Sequence, residues 1–345
     1  MGAQREDPRV RRLAVALAVA FATLALGACG EKEESVGGSV QVRGLDLTLD
    51  WFPNPDHVAI YQAIESGYFR DVGLDVRPRV PSDPAAPIKQ VAAGRADLAI
   101  SYEPEVLLAR EQGLPVVAVA ALVQRPLTSL MATEKSRVRS VRDLRGKRVG
   151  TAGIPYQEAY LKTILRRANV PESSVKVTNV GASLLPAMLS GKVDATLAAF
   201  WNVEGVELRQ RGQRPWIVPV NRLGVPDYDE LVLVANSDQL ADRRDDLRLF
   251  ISALSRGARE ARSDPRAAAD TLLDANKDLR ERPTRASVRL TIPALFPEDG
   301  DRPFGFLNPV EWRNYGGWMV DNRLLEELPD IEAAATNDLL PGEGL

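Results

Sequence analysis

Residues 49–76 read LDWFPNPDHVAIYQAIESGYFRDVGLDV, and this stretch decides the fold. An apolar run ends at Trp51, a proline-rich turn follows, and 57–66 then carries apolar residues at helical spacing up to Gly67. A second apolar run opens at Leu74. Strand, helix and strand in close succession are the unit of a parallel sheet wrapped by helices. The turn puts Trp51, Asn54 and His57 at the carboxyl edge of a strand, where open α/β sheets hold their ligands. Tryptophan offers a stacking face, asparagine a donor and an acceptor, and neutral histidine one of each. A core tryptophan and an asparagine that merely caps the helix fit the same spacing. Spacing alone leaves the two readings even.

The alternation continues in both directions. Strands are expected at 45–51, 74–80, 96–102 and 116–122, with helices at 57–66, 87–93 and 105–112, several ending at a glycine. After 130–132 a second set begins, with strands at 148–152, 175–180, 195–200 and 216–220 and helices at 156–168, 184–190 and 205–211. A strand at 231–236 precedes an all-helical tail from Arg244, with helices at 246–263, 265–276 and 309–322. Two α/β units and a helical tail in 345 residues predict a two-lobed α/β molecule. The chain is expected to cross between lobes near Thr133 and near 227–231. Lobe one is then 45–132 plus 232–345, and lobe two 133–231. A cleft between facing sheet edges closes around a solute by a hinge.

The amino terminus reads as an export signal. Arg9, Arg11 and Arg12 precede an Ala-rich apolar run over 13–26, which ends in Leu26-Gly27-Ala28-Cys29. The run is shorter than the roughly 20 residues of a membrane span. Cys29 is the single cysteine of the chain and follows the small-residue pair as in the lipobox of bacterial lipoproteins. The expectation is a signal peptide over 1–28, acylation of Cys29, and a polar tether over 29–44. The mature protein is then anchored to the outer face of the cell membrane. Structural disulfides are excluded. The Arg11-Arg12 pair hints weakly at twin-arginine export.

The charge balance removes another class. The net charge is −3, and loss of residues 1–28 takes four arginines and two acidic residues with it, leaving −5. A mildly acidic chain with no basic stripe is no nucleic-acid binder. Catalytic patterns are missing as well: one histidine, no HExxH, CxxC, Walker A, GxGxxG or GxSxG. No metal site and no Ser/His/Asp triad is expected.

Four stretches carry a resemblance: residues 49–76 quoted above, GRADLAISYEPEVLLAREQGLPVVAVAALVQRPLTSLMA at 94–132, KRVGTAGIPYQEAYL at 147–161 and SGKVDATLAAFWNVEGVEL at 190–208. Together they resemble the family of bacterial thiamine-pyrimidine-precursor-binding proteins, in that family's order. The family also contains the yeast-type pyrimidine synthase and, more distantly, sulfonate and nitrate binders. The resemblance implies the type II periplasmic-binding-protein fold with two crossovers. It also implies the solute-binding component of an ABC importer, with permease and ATPase subunits as partners and no cofactor.

Residue by residue, the resemblance implies a first-lobe pocket at Trp51 and Asn54, with His57 beside them. Ser101, Tyr102 and Glu103 follow the third strand and face the ligand. Gly153, Ile154, Pro155 and Tyr156 form a helix-opening turn whose free N–H groups suit an oxygen. Phe200, Trp201, Asn202 and Glu204 supply an aromatic wall and a carboxylate. For Trp201 the competing role is core packing, and for Glu103 and Glu204 it is solvated surface charge. An aminopyrimidine suits the set, since its ring stacks and its amino group donates to a carboxylate. A flavin-like ring, a sulfonate and other heteroaromatics stay open. The synthase branch needs a lysine and a histidine near the third strand and cysteines near the second crossover. The corresponding segments here, AISYEP at 99–104 and VPDYDE at 225–230, hold none, so a binder and not an enzyme is expected.

Overall fold

The computed structural model describes residues 42–298 and 300–342. The expected signal peptide, Cys29 and the expected tether up to residue 41 lie outside the described residues. Among the described residues the strands are β1 (Arg43–Thr48), β2 (Leu74–Arg79), β3 (Leu98–Ser101), β4 (Val116–Val123), β5 (Thr128–Ala132), β6 (Arg148–Thr151), β7 (Lys176–Asn179), β8 (Ala195–Phe200), β9 (Trp216–Pro219) and β10 (Leu231–Asn236). The helices are α1 (Val58–Glu65), α2 (Tyr68–Asp71), α3 (Pro87–Ala92), α4 (Glu103–Glu111), α5 (Pro155–Arg167) and α6 (Leu184–Leu189). They continue with α7 (Glu204–Gln210), α8 (Leu240–Ser263), α9 (Pro265–Ala275), α10 (Glu281–Thr291), α11 (Pro309–Asp321) and α12 (Ile331–Ala334). Arg43 and Gly44, expected in the tether, already pair with Leu74 and Asp75 in the sheet.

The strands form two five-stranded sheets, ordered β2-β1-β3-β10-β4 and β7-β6-β8-β5-β9. Neither is purely parallel, as the alternation had suggested. β10 runs antiparallel to both its neighbours in the first sheet, and β5 does the same in the second. Each is the strand that directly follows a passage of the chain from one sheet to the other. β5 corrects the expected first crossing. Its residues pair with β8 and β9, so the chain leaves the first sheet after Val123 and not near Thr133. All five residues of β5, Thr128 and Ser129 among them, are buried, and a strand buried on both faces has no polar alternation to mark the sheet it joins.

Local chemistry sets the helix starts. Pro87, Pro155, Pro265 and Pro309 each open a helix, where the missing N–H costs nothing. Asp264 accepts the Arg266 and Ala267 N–H groups, and Asn308 that of Val310. Helix α10 has no counterpart in the expected elements. Its Pro283 lies in the first turn, where an intrahelical donor is not required. On α8, a side chain at Gly257 would stand 2.5 Å from the Ala59 carbonyl. That bare surface lets α8 lie directly on α1 and fixes the turn before α1 against the core.

Candidate functional site

A cavity of about 260 Å³ lies between the two sheets. Its walls come from the segments that follow β1, β3, β6 and β8, together with residues 278–287 ahead of and within α10. The first four are carboxyl ends of parallel strands, the edge at which this class of sheet binds ligands.

On the first-sheet side Asp50, Trp51, Phe52, Asn54 and Tyr102 line the cavity. Trp51 is half-buried and meets Phe52 edge to face at 6.5 Å. The Asn54 side chain is occupied locally: it accepts the Asp56 N–H at 2.8 Å and donates to the Phe52 carbonyl at 3.1 Å. It holds the turn, as a capping residue does. His57 does not line the cavity. It is fully buried behind Asp50, with Nδ1 accepting the Asn54 N–H at 3.3 Å and Nε2 2.8 Å from Asp50 Oδ1. An acceptor at Nδ1 puts the ring proton on Nε2, so His57 donates to Asp50 as a neutral ring. The Tyr102 hydroxyl donates to the other Asp50 oxygen at 2.9 Å. Two donors thus hold the Asp50 carboxylate in one orientation. Burial pushes the Tyr102 phenol well above its ordinary range, which keeps it a donor.

On the second-sheet side Ile154, Tyr156, Phe200 and Glu204 line the cavity, and Gln157 with them. Gln157 reaches back to accept the Ala152 N–H at 2.8 Å. Gly153 and Pro155 are exposed and lie off the wall. Gly153 shapes the turn instead: its φ is +83°, and a Cβ there would stand 2.3 Å from Asn179 Nδ2. Glu204 opens α7, and its Oε2 accepts the Phe200 N–H at 2.8 Å. Burial pushes its carboxyl up to about 7 despite that bond.

Besides His57, Gly153 and Pro155, four more expected ligand contacts lie elsewhere. Ser101 turns its hydroxyl to Glu105 at 2.8 Å. Glu103 is buried without touching the cavity and accepts the Asp229 N–H at 2.7 Å. Burial and the neighbouring Asp229 carboxyl raise it well above the carboxylate range. It is neither ligand-facing nor a solvated surface charge. Trp201 donates its indole N–H to the Pro126 carbonyl at 3.1 Å. Phe200 ends β8 on the cavity face, and Trp201 opens the turn beyond it, where its indole reaches the 124–127 passage instead. Asn202 is fully buried and bonds to Asp56 and Thr291, away from the cavity.

The expected set left out Asp50, Gln157 and the third wall: Asp278, Leu279, Arg280, Pro283, Thr284 and Ser287. Asp50 had a signal, an acid just past the strand's carboxyl end and beside Trp51. The 278–287 segment had none, since nothing in it tells a cavity face from an ordinary surface helix. Arg280 is the sole Lys or Arg among the described residues lining the cavity, and it is paired with Glu207 of α7. The unpaired charge facing the cavity is therefore negative.

A model of the NMT1/THI5-like family matches residues 54–268. The chain is 33% identical over 316 residues, 90% of its length and 94% of the relative's, to the formylaminopyrimidine-binding protein of Halalkalibacterium halodurans. It is 24% identical over 302 residues to the 4-amino-5-hydroxymethyl-2-methylpyrimidine phosphate synthase of Legionella pneumophila, covering 86% of this chain and 92% of that one. Among solved structures it superposes with TM-score 0.63 on the CA3427 gene product of Candida albicans, described as having the generic periplasmic binding protein fold. That match covers 86% of this chain and 97% of the other at 15% identity. It shows the fold, which is the one expected from the sequence. Among the described residues no helix is long and apolar enough to cross a membrane.

Proposed function

The chain belongs to the NMT1/THI5-like family, and on that footing we propose that it is the solute-binding component of an ABC importer that takes up a pyrimidine precursor. The cavity carries this reading. Trp51, Tyr156 and Phe200 give it aromatic walls, while Asp50 and Glu204 offer carboxylates to donors. An aminopyrimidine presents a flat face to the first set and an amino group to the second. A volume of about 260 Å³ suits a one-ring solute, lying below the usual span for drug-sized ligands of roughly 300–1,000 Å³. A sulfonate wants unpaired cations or several N–H donors, and the single cation here already has a partner. The relative in Halalkalibacterium halodurans is named for such a pyrimidine.

The two sheets are read as two lobes meeting at the cavity, with the passages between them at 124–127 and 220–230. Closure of one lobe on the other encloses the solute. Cys29 is read as a lipid anchor that keeps the protein at the outer face of the membrane, beside permease and ATPase subunits.

A synthase role like that of the Legionella pneumophila relative is disfavoured by the cavity. The synthase branch needs a lysine, and among the described residues lining the cavity none is lysine. The test is mass spectrometry of solute released from protein purified without refolding. A pyrimidine with an exocyclic amino group is expected, and a sulfonate in its place overturns the reading.

A further inference from the structure

Asn202 sits in the loop between β8 and α7, on the second-sheet side, yet its amide serves the first-sheet side. Nδ2 donates to Asp56 Oδ1 at 2.6 Å and to Thr291 Oγ1 at 2.7 Å. The Thr291 hydroxyl donates in turn to the same Asp56 oxygen at 3.1 Å. All three side chains are at 0% exposure. Two oxygens in this buried cluster have no donor among the described residues, Asp56 Oδ2 and Asn202 Oδ1. Buried polar atoms are almost always paired, so two orphans in one cluster need a cause. They belong to the two groups already joined through Nδ2 and Oδ1. One proton on Asp56 Oδ2 supplies the missing donor and turns the single bond into a two-bond carboxylic acid–amide ring.

We propose that Asp56 is protonated in this arrangement, and that Asp56 and Asn202 form a proton-operated latch between the lobes. The latch holds while the carboxyl carries its proton and releases when it ionises. It rests on the two-lobe reading above and not on the identity of the solute.

The surroundings favour the proton. Burial pushes Asp56 up to about 7, against the opposing pull of the hydrogen bonds from Asn202 and Thr291. His57, the next residue, is committed to Asp50 as a neutral ring. The Asp50 carboxylate itself opposes a second negative charge nearby. On α10, Arg285 is paired with Asp270 and Glu281, and on α7, Glu204 is turned to the Phe200 N–H. Among the described residues no ion pair reaches Asp56. When the lobes part, Asp56 loses the amide and regains water, and its pKa falls towards about 3.9. The latch is therefore fully made below the open-state pKa and is lost as pH rises through about 7. The closed-to-open ratio falls about tenfold per pH unit on that approach and levels off above it.

The experiment uses the full-length protein without solute, spin-labelled at the exposed positions Glu65 and Glu172. Distance distributions are recorded between about pH 5.5 and 8.5. The wild type is expected to move from closed to open as pH rises. Asp56→Asn, a permanently neutral partner for the amide, is expected to stay closed throughout. If Asp56→Asn keeps the wild-type slope, or if the wild type has none, the latch is overturned. Should Asp56→Asn fail to fold, Asn202→Ala replaces it, with an open distribution at every pH expected and a retained slope decisive against. Since no solute is present, a wrong assignment of the pyrimidine leaves this measurement untouched.

Discussion

Glu230 holds Thr128 by both carboxylate oxygens: Oε2 accepts its N–H at 2.7 Å and Oε1 its hydroxyl at 2.8 Å. Oε2 also accepts the Leu127 N–H at 2.6 Å and the Tyr228 hydroxyl at 3.0 Å. Leu127 and Thr128 end the first passage between the sheets, and Tyr228 and Glu230 end the second. One buried side chain thus ties the two passages together. Glu230→Ala leaves two backbone donors and two hydroxyls without this acceptor and is expected to destabilise by about 3 kcal/mol or more. Glu230→Gln keeps one acceptor oxygen and is expected to cost about half that. Urea denaturation of the three proteins measures both.

Glu204 is expected to read the amino group of the solute. Loss of a charged hydrogen bond costs roughly 1.5–3 kcal/mol, so Glu204→Gln should weaken an aminopyrimidine about ten- to a hundredfold. With a carboxyl at about 7, the wild-type advantage should grow as pH rises towards 7 and level off beyond it. The same raised value acts oppositely on the empty protein. Its contribution to stability is present at low pH and lost as pH rises through about 7, so the glutamine variant should melt higher than wild type at alkaline pH. Calorimetric titration against amino and des-amino pyrimidines separates a direct contact from general damage: equal losses for both ligands would refute the contact.

Gly153→Ala should destabilise by about 1–2 kcal/mol, from the left-handed backbone and the clash with Asn179. Asn179→Ala in the same chain should restore only the clash, since the backbone conformation is unchanged. Full recovery in the double variant would show that the φ of +83° carries no strain.

Arg280 is 52% exposed in its pair with Glu207, so the pair adds under about 1 kcal/mol to stability. Its place on the cavity wall gives it a different part, bridging the tail to α7. Arg280→Ala should leave the melting temperature almost unchanged and speed solute release several-fold, which stopped-flow dissociation would measure.

If Cys29 carries the proposed lipid anchor, Cys29→Ser should move the protein from the membrane to the soluble fraction. Fractionation of cells expressing each form decides it, and an unchanged membrane fraction rules the anchor out.

Much of the fold could be read from the chain because apolar runs and capping residues are local signals. Pro155 at a helix start and the continuous VVAVAALV of β4 are examples. The aromatic walls were legible for the same reason, since Trp51 and Phe200 end apolar runs. Whatever depended on which way one side chain turns was not. Trp201 and Asn202 sit beside Phe200 in sequence but point to the passage at Pro126 and to Asp56. Glu103 is absorbed by a backbone N–H 126 positions away. β5 is buried throughout, Thr128 and Ser129 included, and its membership is decided by partners at 195–200 and 216–219 that pattern alone does not name.

The antiparallel seat of β10 also dictates an order of assembly. All strands of the second sheet lie in the continuous span 128–219, so that sheet can be completed from its own segment. β4 has no strand neighbour except β10, and β3 has one open side until β10 arrives. The first sheet therefore stays unfinished, with bare hydrophobic edges, until residues 231–236 have emerged and returned across the molecule. Such edges are sticky, and closing long-range contacts is slow. A chain that emerges amino terminus first is most exposed to aggregation and proteolysis during that interval.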